Sequence, residues 1–390
     1  MSVRVLSVFG TRPEAIKMAP LVLALQRDTR FESRVCVTAQ HRRMLDQALA
    51  LFGIRPDRDL DLMAPAQDLF DVTSRALLGL REVIRAEEPD VILVHGDTTS
   101  CLAGALAGFY LGVPVGHVEA GLRSRDLRAP FPEEANRVIA DRLSSLWFAP
   151  TVSARRNLLD EGVDPGLVHV TGNTGIDALL AVRGRMAGRG AAALEPEIGA
   201  ELALRIAGWQ GRVLLVTGHR RESFGQGFRD LCSAIREAAR RHPDWLFVYP
   251  VHLNPNVQRP VREILGGIAN VALCQPLDYA PFVWLMDRSD LILTDSGGIQ
   301  EEGPALGKPV LVMREVTERP EAVESGGVRL VGTEPRRILD GLEEVLGDRG
   351  LYQRMAQAKS PYGDGRAAQR IVDGLAARFA PQVSALTAVA

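Results

Sequence analysis

Four polar side chains of the chain follow predicted strands or begin a predicted helix, and their types suit proton transfer. Asp97 lies in the run His-Gly-Asp-Thr-Thr, and Glu119 lies in His-Val-Glu-Ala-Gly. Glu133 follows Pro132, and His219 lies in Thr-Gly-His-Arg-Arg. Carboxylates that share one sheet edge shift each other's pKa values, so one can donate a proton while another accepts. The combination predicts acid–base chemistry rather than simple binding.

Each of these residues also has a purely structural explanation. Asp97 can cap the helix that follows it, although Thr98 or Thr99 can supply that cap instead. Glu133 can offset the dipole at a helix start. His219 can be a packed histidine, or it can stabilise negative charge on a departing diphosphate. The residues alone leave these alternatives open.

Two glycine-containing turns are candidates for binding phosphate groups. Gly10-Thr11-Arg12-Pro13 joins the first predicted strand to a helix, whose start offers N–H groups to an anion, and Arg12 adds a cation. In Asp295-Ser296-Gly297-Gly298, backbone N–H groups can cradle a diphosphate, and Glu302 in the next turn can bind a ribose diol. Tight turns without a ligand are the alternative for both. Neither segment has the G-x-G-x-x-G or P-loop spacing.

The composition predicts an ordinary globular protein of two domains. The chain has 390 residues, 46% hydrophobic content and a net charge of −2, which gives no electrostatic signature of a nucleic-acid partner. No signal-peptide pattern and no apolar run of about 20 residues is found, so we expect a cytoplasmic protein without a membrane partner. Neither the histidines nor the cysteines have metal-ligand spacing, and we expect no metal and no cofactor: the cysteines are Cys36, Cys101, Cys232 and Cys274.

Apolar runs alternate with helical patterns along the whole chain, which predicts an α/β fold with parallel sheets and ligands at the carboxyl ends of the strands. The pattern restarts in the second half, so we expect two Rossmann-like domains that face each other across a cleft. We interpret residues 184–194 as a surface excursion. The predicted strands are 3–9, 33–38, 91–95, 114–118, 146–149, 168–170, 212–217, 245–250, 271–274, 291–294 and 309–313. The predicted helices include 14–27, 42–52, 69–86, 100–111, 227–241, 282–288, 299–306 and 318–324, with a helical tail over 336–379.

Eight ordered motifs closely resemble the bacterial non-hydrolysing UDP-N-acetylglucosamine 2-epimerases. They are FGTRPEAIK at 9–17, TAQH at 38–41, HGDT at 95–98, GHVEAGLR at 116–123, PEEANR at 132–137, TGHRRE at 217–222, DSGGIQEE at 295–302 and TERPE at 317–321. The resemblance implies a GT-B-like fold, a homodimer, and interconversion of UDP-N-acetylglucosamine with UDP-N-acetylmannosamine. In that family UDP is eliminated to give 2-acetamidoglucal and is then added back. We expect an N-terminal domain over 1–174, a UDP-binding domain over 175–368, and a tail over 369–390 that packs back on the first domain.

The resemblance also assigns roles to individual residues. Asp97, Glu119 and Glu133 are the expected acid–base groups, and His219 is expected to stabilise the leaving UDP. Phe282 and Arg319 are expected from the resemblance alone. The full expected substrate-binding set is Arg12, Lys17, Asp97, Glu119, His219, Leu277, Phe282, Ser296, Gly297, Gly298, Glu302 and Arg319.

The chain departs from the family pattern at a few positions. Some relatives bind a second UDP-N-acetylglucosamine as an activator, through a glutamine and an arginine where this chain has Arg43 and Ala66. Leu277 stands where some relatives have a glutamine near the uracil, and a backbone contact there tolerates the change. Other expected activator contacts are retained, namely Gln40, Glu134, Arg220 and His252. The resemblance therefore leaves substrate activation open.

Other functions remain compatible with the same motifs. A hydrolysing epimerase would release N-acetylmannosamine and UDP from a similar site. A GT-B glycosyltransferase is compatible with the fold, although three acids on the sugar side favour proton chemistry over simple transfer. A nucleotide-sugar sensor would bind the same ligand without catalysis. Synthesis of surface-polysaccharide precursors is the role that the family resemblance implies.

Overall fold

The computed structural model describes residues 2–39, 42–64, 66–220 and 224–380, in which strands and helices alternate. The predicted activator contact Gln40 and residues 381–390 of the predicted tail lie outside this part. The strands are β1 (Val3–Phe9), β2 (Phe31–Val37), β3 (Arg58–Asp59), β4 (Val91–His95), β5 (Val115–Val118), β6 (Leu146–Ala149), β7 (Val168–Val170), β8 (Arg212–Thr217), β9 (Trp245–Pro250), β10 (Val271–Cys274), β11 (Leu291–Thr294), β12 (Val310–Val312) and β13 (Val328–Leu330).

The helices fill the connections between these strands. They are α1 (Arg12–Arg27), α2 (Arg42–Phe52), α3 (Leu69–Glu87), α4 (Thr99–Leu111), α5 (Glu133–Leu143), α6 (Val152–Asp160), α7 (Thr174–Met186), α8 (Glu195–Ile198), α9 (Ala200–Gly208), α10 (Gln226–Arg241), α11 (Pro255–Leu265), α12 (Tyr279–Arg288), α13 (Gly297–Ala305), α14 (Pro320–Glu324), α15 (Pro335–Gly347), α16 (Arg349–Ala356) and α17 (Ala367–Phe379).

The chain divides into two compact units. The first comprises Met1–Ala178 and Tyr362–Ala390, and the second comprises Leu179–Pro361. Each unit contains a parallel sheet with interleaved helices, so the predicted α/β class with two domains is confirmed. The expected domain ranges 1–174, 175–368 and 369–390 stay predictions.

The sheet of the first unit is parallel throughout and has the strand order β3-β2-β1-β4-β5-β6-β7 over the described residues. Nearly every side chain of β1 and all of β4 are buried, as expected for strands covered by helices on both faces. Chain order reverses between β1 and β4. In such sheets the ends of the two strands that flank the reversal open a crevice for ligands.

The sheet of the second unit follows the same plan. Its described strands are parallel in the order β10-β9-β8-β11-β12-β13, and the chain order reverses between β8 and β11. A large apolar core lies on one face, where α10, α11 and α15 pack. The second candidate crevice therefore lies after Thr217 and Thr294.

The structure also differs from the sequence predictions at several elements. The short strands β3 and β13 and the helix α11 were not identified from the pattern, and β2 begins two residues earlier than predicted. The interpretation of residues 184–194 as a surface excursion is wrong in part. Ala191 and Leu194 are buried, and the Trp284 indole donates to the carbonyl of Arg189 over 2.9 Å. Among the described helices, none has the length and apolar character needed to cross a membrane.

Candidate active site

The turn between β1 and α1 is held by a buried carboxylate. Glu14 Oε2 accepts hydrogen bonds from the N–H groups of Gly10 and Thr11 over 3.0 and 2.8 Å, and Oε1 accepts from Thr98 Oγ1 over 2.6 Å. Burial raises the pKa of Glu14, against these hydrogen bonds, which lower it. A Cβ atom at Gly10 would lie 1.9 Å from Thr38 Oγ1. The glycine is therefore explained by packing inside the unit, and Glu14 links this turn to the one after β4.

The two basic residues of this turn have different surroundings. Arg12 is half-buried, and its guanidinium has no hydrogen bond or ion pair among the residues that the structure describes. Lys17 lies one turn further along α1, and its Nζ lies 2.5 Å from Glu119 Oε2. The expected substrate contact Lys17 thus also neutralises one of the expected catalytic acids.

Asp97 follows β4, and its side chain does not cap the next helix. The cap of α4 is Thr98, whose Oγ1 accepts the N–H of Cys101 over 3.1 Å. The Asp97 carboxylate instead pairs with the guanidinium of Arg137, and its backbone carbonyl accepts from Asn136 Nδ2 over 2.9 Å. Two residues of α5 thereby fix both the backbone and the carboxylate of Asp97.

Glu119 follows β5 in a backbone conformation that non-glycine residues seldom adopt, with a φ of 66°. Its Oε2 accepts from Asn173 Nδ2 over 3.0 Å in addition to the ion pair with Lys17. A Cβ atom at Gly96 would lie 3.7 Å from Glu119 Oε1, so the carboxylate lies beside the β4 turn. The strained backbone directs this side chain towards the loop that carries Asp97.

Glu133 is the first residue of α5, and the N-cap Pro132 supplies no side-chain hydrogen bond to the helix. Among the described residues the half-buried Glu133 carboxylate has no hydrogen-bond or ion-pair partner. It lies one turn before Arg137, which contacts Asp97, and residues four apart share a helix face. The three predicted acids are therefore carried by adjacent segments at one edge of the first sheet.

Glu134 is a structural centre of the same edge. Its Oε1 accepts the backbone N–H groups of Ser124 and Arg125 over 2.9 Å each, and its Oε2 accepts from Arg137 over 3.1 Å. The predicted activator contact Glu134 therefore shares the guanidinium of Arg137 with Asp97.

A buried ion pair supports the peptide that precedes Asp97. His117 Nδ1 lies 2.7 Å from Asp141 Oδ1, and His117 Nε2 lies 2.8 Å from the carbonyl oxygen of Gly96. Because both neighbours accept hydrogen bonds, both ring nitrogens donate and the ring is an imidazolium. Burial lowers the pKa of His117, but Cys101 and Asp141 raise it well above its usual value overall.

In the second unit, His219 follows β8 and is anchored by Asp295, which follows the neighbouring strand β11. Asp295 Oδ2 accepts the backbone N–H groups of His219 and Arg220 over 2.8 and 2.9 Å, and Oδ1 lies 3.4 Å from His219 Nδ1. The His219 side chain is 46% exposed, and its ring stacks on that of His252 with centroids 5.4 Å apart. His219 therefore lies beside the turn that contains Asp295 and Ser296.

The start of α13 presents backbone donors next to a guanidinium. Ser296 is the N-cap and supplies no side-chain hydrogen bond to the helix, while a Cβ atom at Gly297 would lie 3.7 Å from an Arg220 guanidinium nitrogen. Apart from the backbone of α13 itself and the two chain neighbours, no described residue has an atom within 4 Å of a Cβ at Gly298. N–H groups at a helix start, together with a nearby cation, form an arrangement that binds phosphate. Arg220, expected only as an activator contact, therefore belongs to the same edge as Ser296.

The remaining expected contacts also lie in the second unit. Arg319 pairs with Glu301, and the Tyr279 hydroxyl donates to Glu302 Oε1 over 2.9 Å. Phe282 is half-buried in the first turn of α12. Leu277 lines a cavity of about 460 Å³ beside the edge strand β10.

Several residues of these two edges had not been singled out from the sequence. Arg137, Asn173, Asp295 and Tyr279 each bond to an expected site residue. Arg137 and Asp295 lie inside the quoted motifs, which was the one available signal for them. Over the described ranges, no group of three or more His, Cys, Asp or Glu side chains is arranged to hold a metal ion.

Comparison with known proteins identifies the family of the chain. Residues 23–376 match the family model described as UDP-N-acetylglucosamine 2-epimerase. The UDP-N-acetylglucosamine 2-epimerase of Yersinia pestis is 59% identical, with 95% of this chain and 98% of the relative covered. The solved Neisseria meningitidis UDP-GlcNAc 2-epimerase, bound to UDP-GlcNAc, superposes with a TM-score of 0.84 at 46% identity and covers 96% of this chain and 99% of its own. A putative UDP-N-acetylglucosamine 2-epimerase of Listeria monocytogenes gives a TM-score of 0.89 at 44% identity, with 97% of both chains covered. The chain therefore belongs to the UDP-N-acetylglucosamine 2-epimerase family, whose members are isomerases.

Proposed function

We propose that the chain catalyses reversible epimerisation at carbon 2 of UDP-N-acetylglucosamine, giving UDP-N-acetylmannosamine, by elimination and re-addition of UDP. The Neisseria relative was solved with UDP-GlcNAc bound, which supports the same substrate here. The product would serve the synthesis of surface-polysaccharide precursors in the cytoplasm, the role that the family resemblance implies.

In this mechanism a carboxylate of the first unit removes the proton from carbon 2. The electrons of that C–H bond form the C1–C2 double bond, and those of the C1–O bond leave with UDP. A second acid then returns a proton to the opposite face of carbon 2 as a UDP oxygen attacks carbon 1. Opposite-face transfers need two separate proton carriers, and Asp97, Glu119 and Glu133 are the candidates.

The second unit would hold the diphosphate while the unsaturated sugar is no longer bonded to UDP. His219, Arg220 and the N–H groups at the start of α13 are donors that gain strength as negative charge grows on the leaving oxygen. Arg12 of the first unit is a further cation, with no ion-pair partner within the described part of the chain. Holding UDP prevents its loss before re-addition, so the released product keeps its nucleotide.

The observation that carries this proposal is the convergence of Asp97, Glu119 and the first turn of α5 on one edge of the first sheet. The decisive experiment is incubation of the full chain with UDP-N-acetylglucosamine in deuterated water, followed by NMR of the products. We expect deuterium at carbon 2 of both nucleotide sugars. Epimerised product without deuterium would exclude proton abstraction at carbon 2.

The same experiment separates the proposed enzyme from a hydrolysing epimerase and from a non-catalytic sensor. A hydrolysing epimerase would accumulate free N-acetylmannosamine and stoichiometric UDP, whereas the proposed enzyme reaches an equilibrium of two nucleotide sugars. A non-catalytic sensor would bind UDP-N-acetylglucosamine in calorimetry and form neither product. We expect the equilibrium mixture, with free 2-acetamidoglucal and UDP as minor escaped species.

We also propose that the active form is a homodimer. The helices α3, α4 and α5 pack side by side in the first unit and expose several large apolar side chains, which monomeric proteins seldom do over one surface. These side chains are Phe70, Leu78, Phe109, Tyr110 and Ile139. Sedimentation should give twice the chain mass, and Phe109→Glu with Tyr110→Glu should shift the protein to monomer. A variant that keeps the wild-type mass would exclude this surface as the interface.

A further inference from the structure

His95 is a buried histidine that the proposed mechanism does not use. It ends β4, its relative exposure is 3%, and neither ring nitrogen has a hydrogen-bond partner among the described residues. Buried polar side chains are nearly always hydrogen-bonded, and the exceptions are often functional. An imidazole left in this condition beside an expected active site therefore requires an explanation.

The ring faces the carboxylate of Glu119. His95 Nε2 lies 3.8 Å from Glu119 Oε2, which is longer than a hydrogen bond. Oε2 is also the atom that Lys17 Nζ and Asn173 Nδ2 contact, over 2.5 and 3.0 Å. A small movement of either side chain would bring His95 Nε2 into hydrogen-bond distance of an oxygen whose protonation state is proposed to change.

The charged groups around His95 keep its ring neutral. Burial lowers the pKa of His95 to about 4; Lys17 of α1 and His117 of β5 act in the same direction, and Glu119 opposes them. A neutral imidazole has one N–H donor and one accepting lone pair, and tautomer exchange swaps them. The ring can therefore donate to a carboxylate at Glu119 or accept from a carboxylic acid there.

The other contacts of Glu119 Oε2 differ in this respect. An ammonium group has three donors and no acceptor, and an amide NH₂ group also only donates. Lys17 and Asn173 Nδ2 therefore favour the ionised form of Glu119. A proton-transfer group must be accessible in both forms, and His95 can complement the protonated form.

We propose that His95 is the hydrogen-bond partner that stabilises Glu119 in its protonated state during turnover. When Glu119 gains a proton, its O–H donates to the lone pair of His95 Nε2 while the ring proton is on Nδ1. When Glu119 releases that proton, Lys17 and Asn173 hold the carboxylate, and the ring keeps its proton on Nδ1. His95 neither gains nor loses a proton between the two states, so it is a positioning residue. The inference rests on the proposed catalytic role of Glu119.

The test compares His95→Gln with His95→Asn. The side-chain amide of glutamine reaches the position of Nε2, whereas that of asparagine reaches only the position of Nδ1. We expect His95→Asn to lower kcat by about 10-fold, a loss within the range for a hydrogen bond between neutral groups. His95→Gln should stay within about threefold of wild type, and KM should change little in both. Equal losses in both variants, or no loss in His95→Asn, would overturn the inference.

Two controls separate this inference from the proposed function. In a Glu119→Gln background, His95→Asn should change the residual kcat by less than about twofold, because the group it serves no longer titrates. His169→Asn changes another partly buried histidine of the first unit, which stacks on Phe148, and should leave kcat unchanged. If Glu119→Gln is fully active, the role of Glu119 itself is wrong. If Glu119→Gln is inactive but His95→Asn is normal, only the role of His95 is wrong.

Discussion

The two units place polar groups at equivalent positions of similar sheets, yet they treat those groups differently. In the first unit, the carboxylates of Asp97 and Glu119 pair with cations. The buried side chains of Glu14 and His117 hold the neighbouring turns through hydrogen bonds. In the second unit, His219 is nearly half exposed, and the start of α13 has no side-chain cap. Two of the three acids of the first edge, Asp97 and Glu119, are bonded within their unit, whereas the second edge exposes His219.

This difference is consistent with the proposed roles of the two units. Groups that exchange protons with carbon must be held in fixed geometry, which the buried bonds of the first unit provide. Groups that bind a diphosphate must be accessible to it, and in the second unit His219 and Gly298 are exposed. Changes in the first edge should therefore act mainly on kcat, and changes in the second mainly on UDP affinity.

The largest effect on kcat is expected when an acid of the first edge is neutralised. Asp97→Asn should lower kcat by roughly 10²–10⁴-fold, the contribution of a general acid–base group, and leave the Kd for UDP within about threefold. Steady-state kinetics and calorimetry measure both. Asp61→Asn changes an acid of the same unit with a side chain 73% exposed and should leave both unchanged. Normal turnover of Asp97→Asn would remove this residue from the mechanism.

A smaller effect is expected when the anchor of the second edge is changed. Asp295→Ala removes both backbone hydrogen bonds that hold His219 and Arg220, so UDP should bind about 10-fold more weakly. Asp290→Ala is the matched control, since Asp290 accepts the N–H of Val213 over 2.8 Å beside the opposite ends of β8 and β11. Both variants should lose thermal stability. Equal UDP affinity in the two would contradict the assigned role of Asp295.

The buried side chain of His95 predicts a pH dependence of the free energy of unfolding. Burial lowers the pKa of His95 to about 4, so between this value and about 6.5 the unfolded chain binds a proton that the folded chain does not. This contribution to the free energy of unfolding therefore rises with pH across that window and is lost as the pH falls towards 4. In His95→Gln the loss on acidification should be smaller by up to about 3 kcal/mol. Denaturant unfolding at pH 8, where the ring is neutral in both states, gives the packing cost of the substitution as a control. If the free energy of unfolding falls equally in wild type and His95→Gln as the pH is lowered, the prediction is wrong.

The smallest effect is expected for a hydrogen bond of the second edge, between Tyr279 and Glu302. Tyr279→Phe removes the hydrogen bond to Glu302 and should raise KM by about threefold to 10-fold with little change in kcat. Tyr352→Phe is the control, because its hydroxyl donates to the backbone of Asp290 over 3.1 Å in the same unit. A fall in kcat without a change in KM would place Tyr279 in the chemical step instead.

The long buried elements were predictable from the sequence because their pattern is unambiguous. The predicted bounds of β1, β4 and α2 agree with the structure. The strands β3 and β13 were missed because each has only two or three residues, of which at most one is buried. The helix α11 contains Pro260 in its interior, which argued against a helix.

The sequence predicted which residues belong to the candidate site better than it predicted the contacts between them. Residues that follow parallel strands were expected at one edge, and the motifs named most of them. The pairing of Asp97 with Arg137 depends on how α5 packs over the β4 turn, and no spacing in the chain specifies that packing. The same holds for His95, which reads as an ordinary strand residue until the backbone direction of Glu119 is known.

The second unit is an insertion within the sequence of the first, and this has a consequence for biogenesis. Helix α17 follows the insertion yet packs against α1, and Asp177 accepts the N–H groups of Ala367 and Ala368 at its start. During translation the ribosome therefore releases every residue of the second unit before it supplies the helix that completes the first. A nascent chain whose second unit has folded before α17 emerges should therefore expose an incomplete first unit to chaperones.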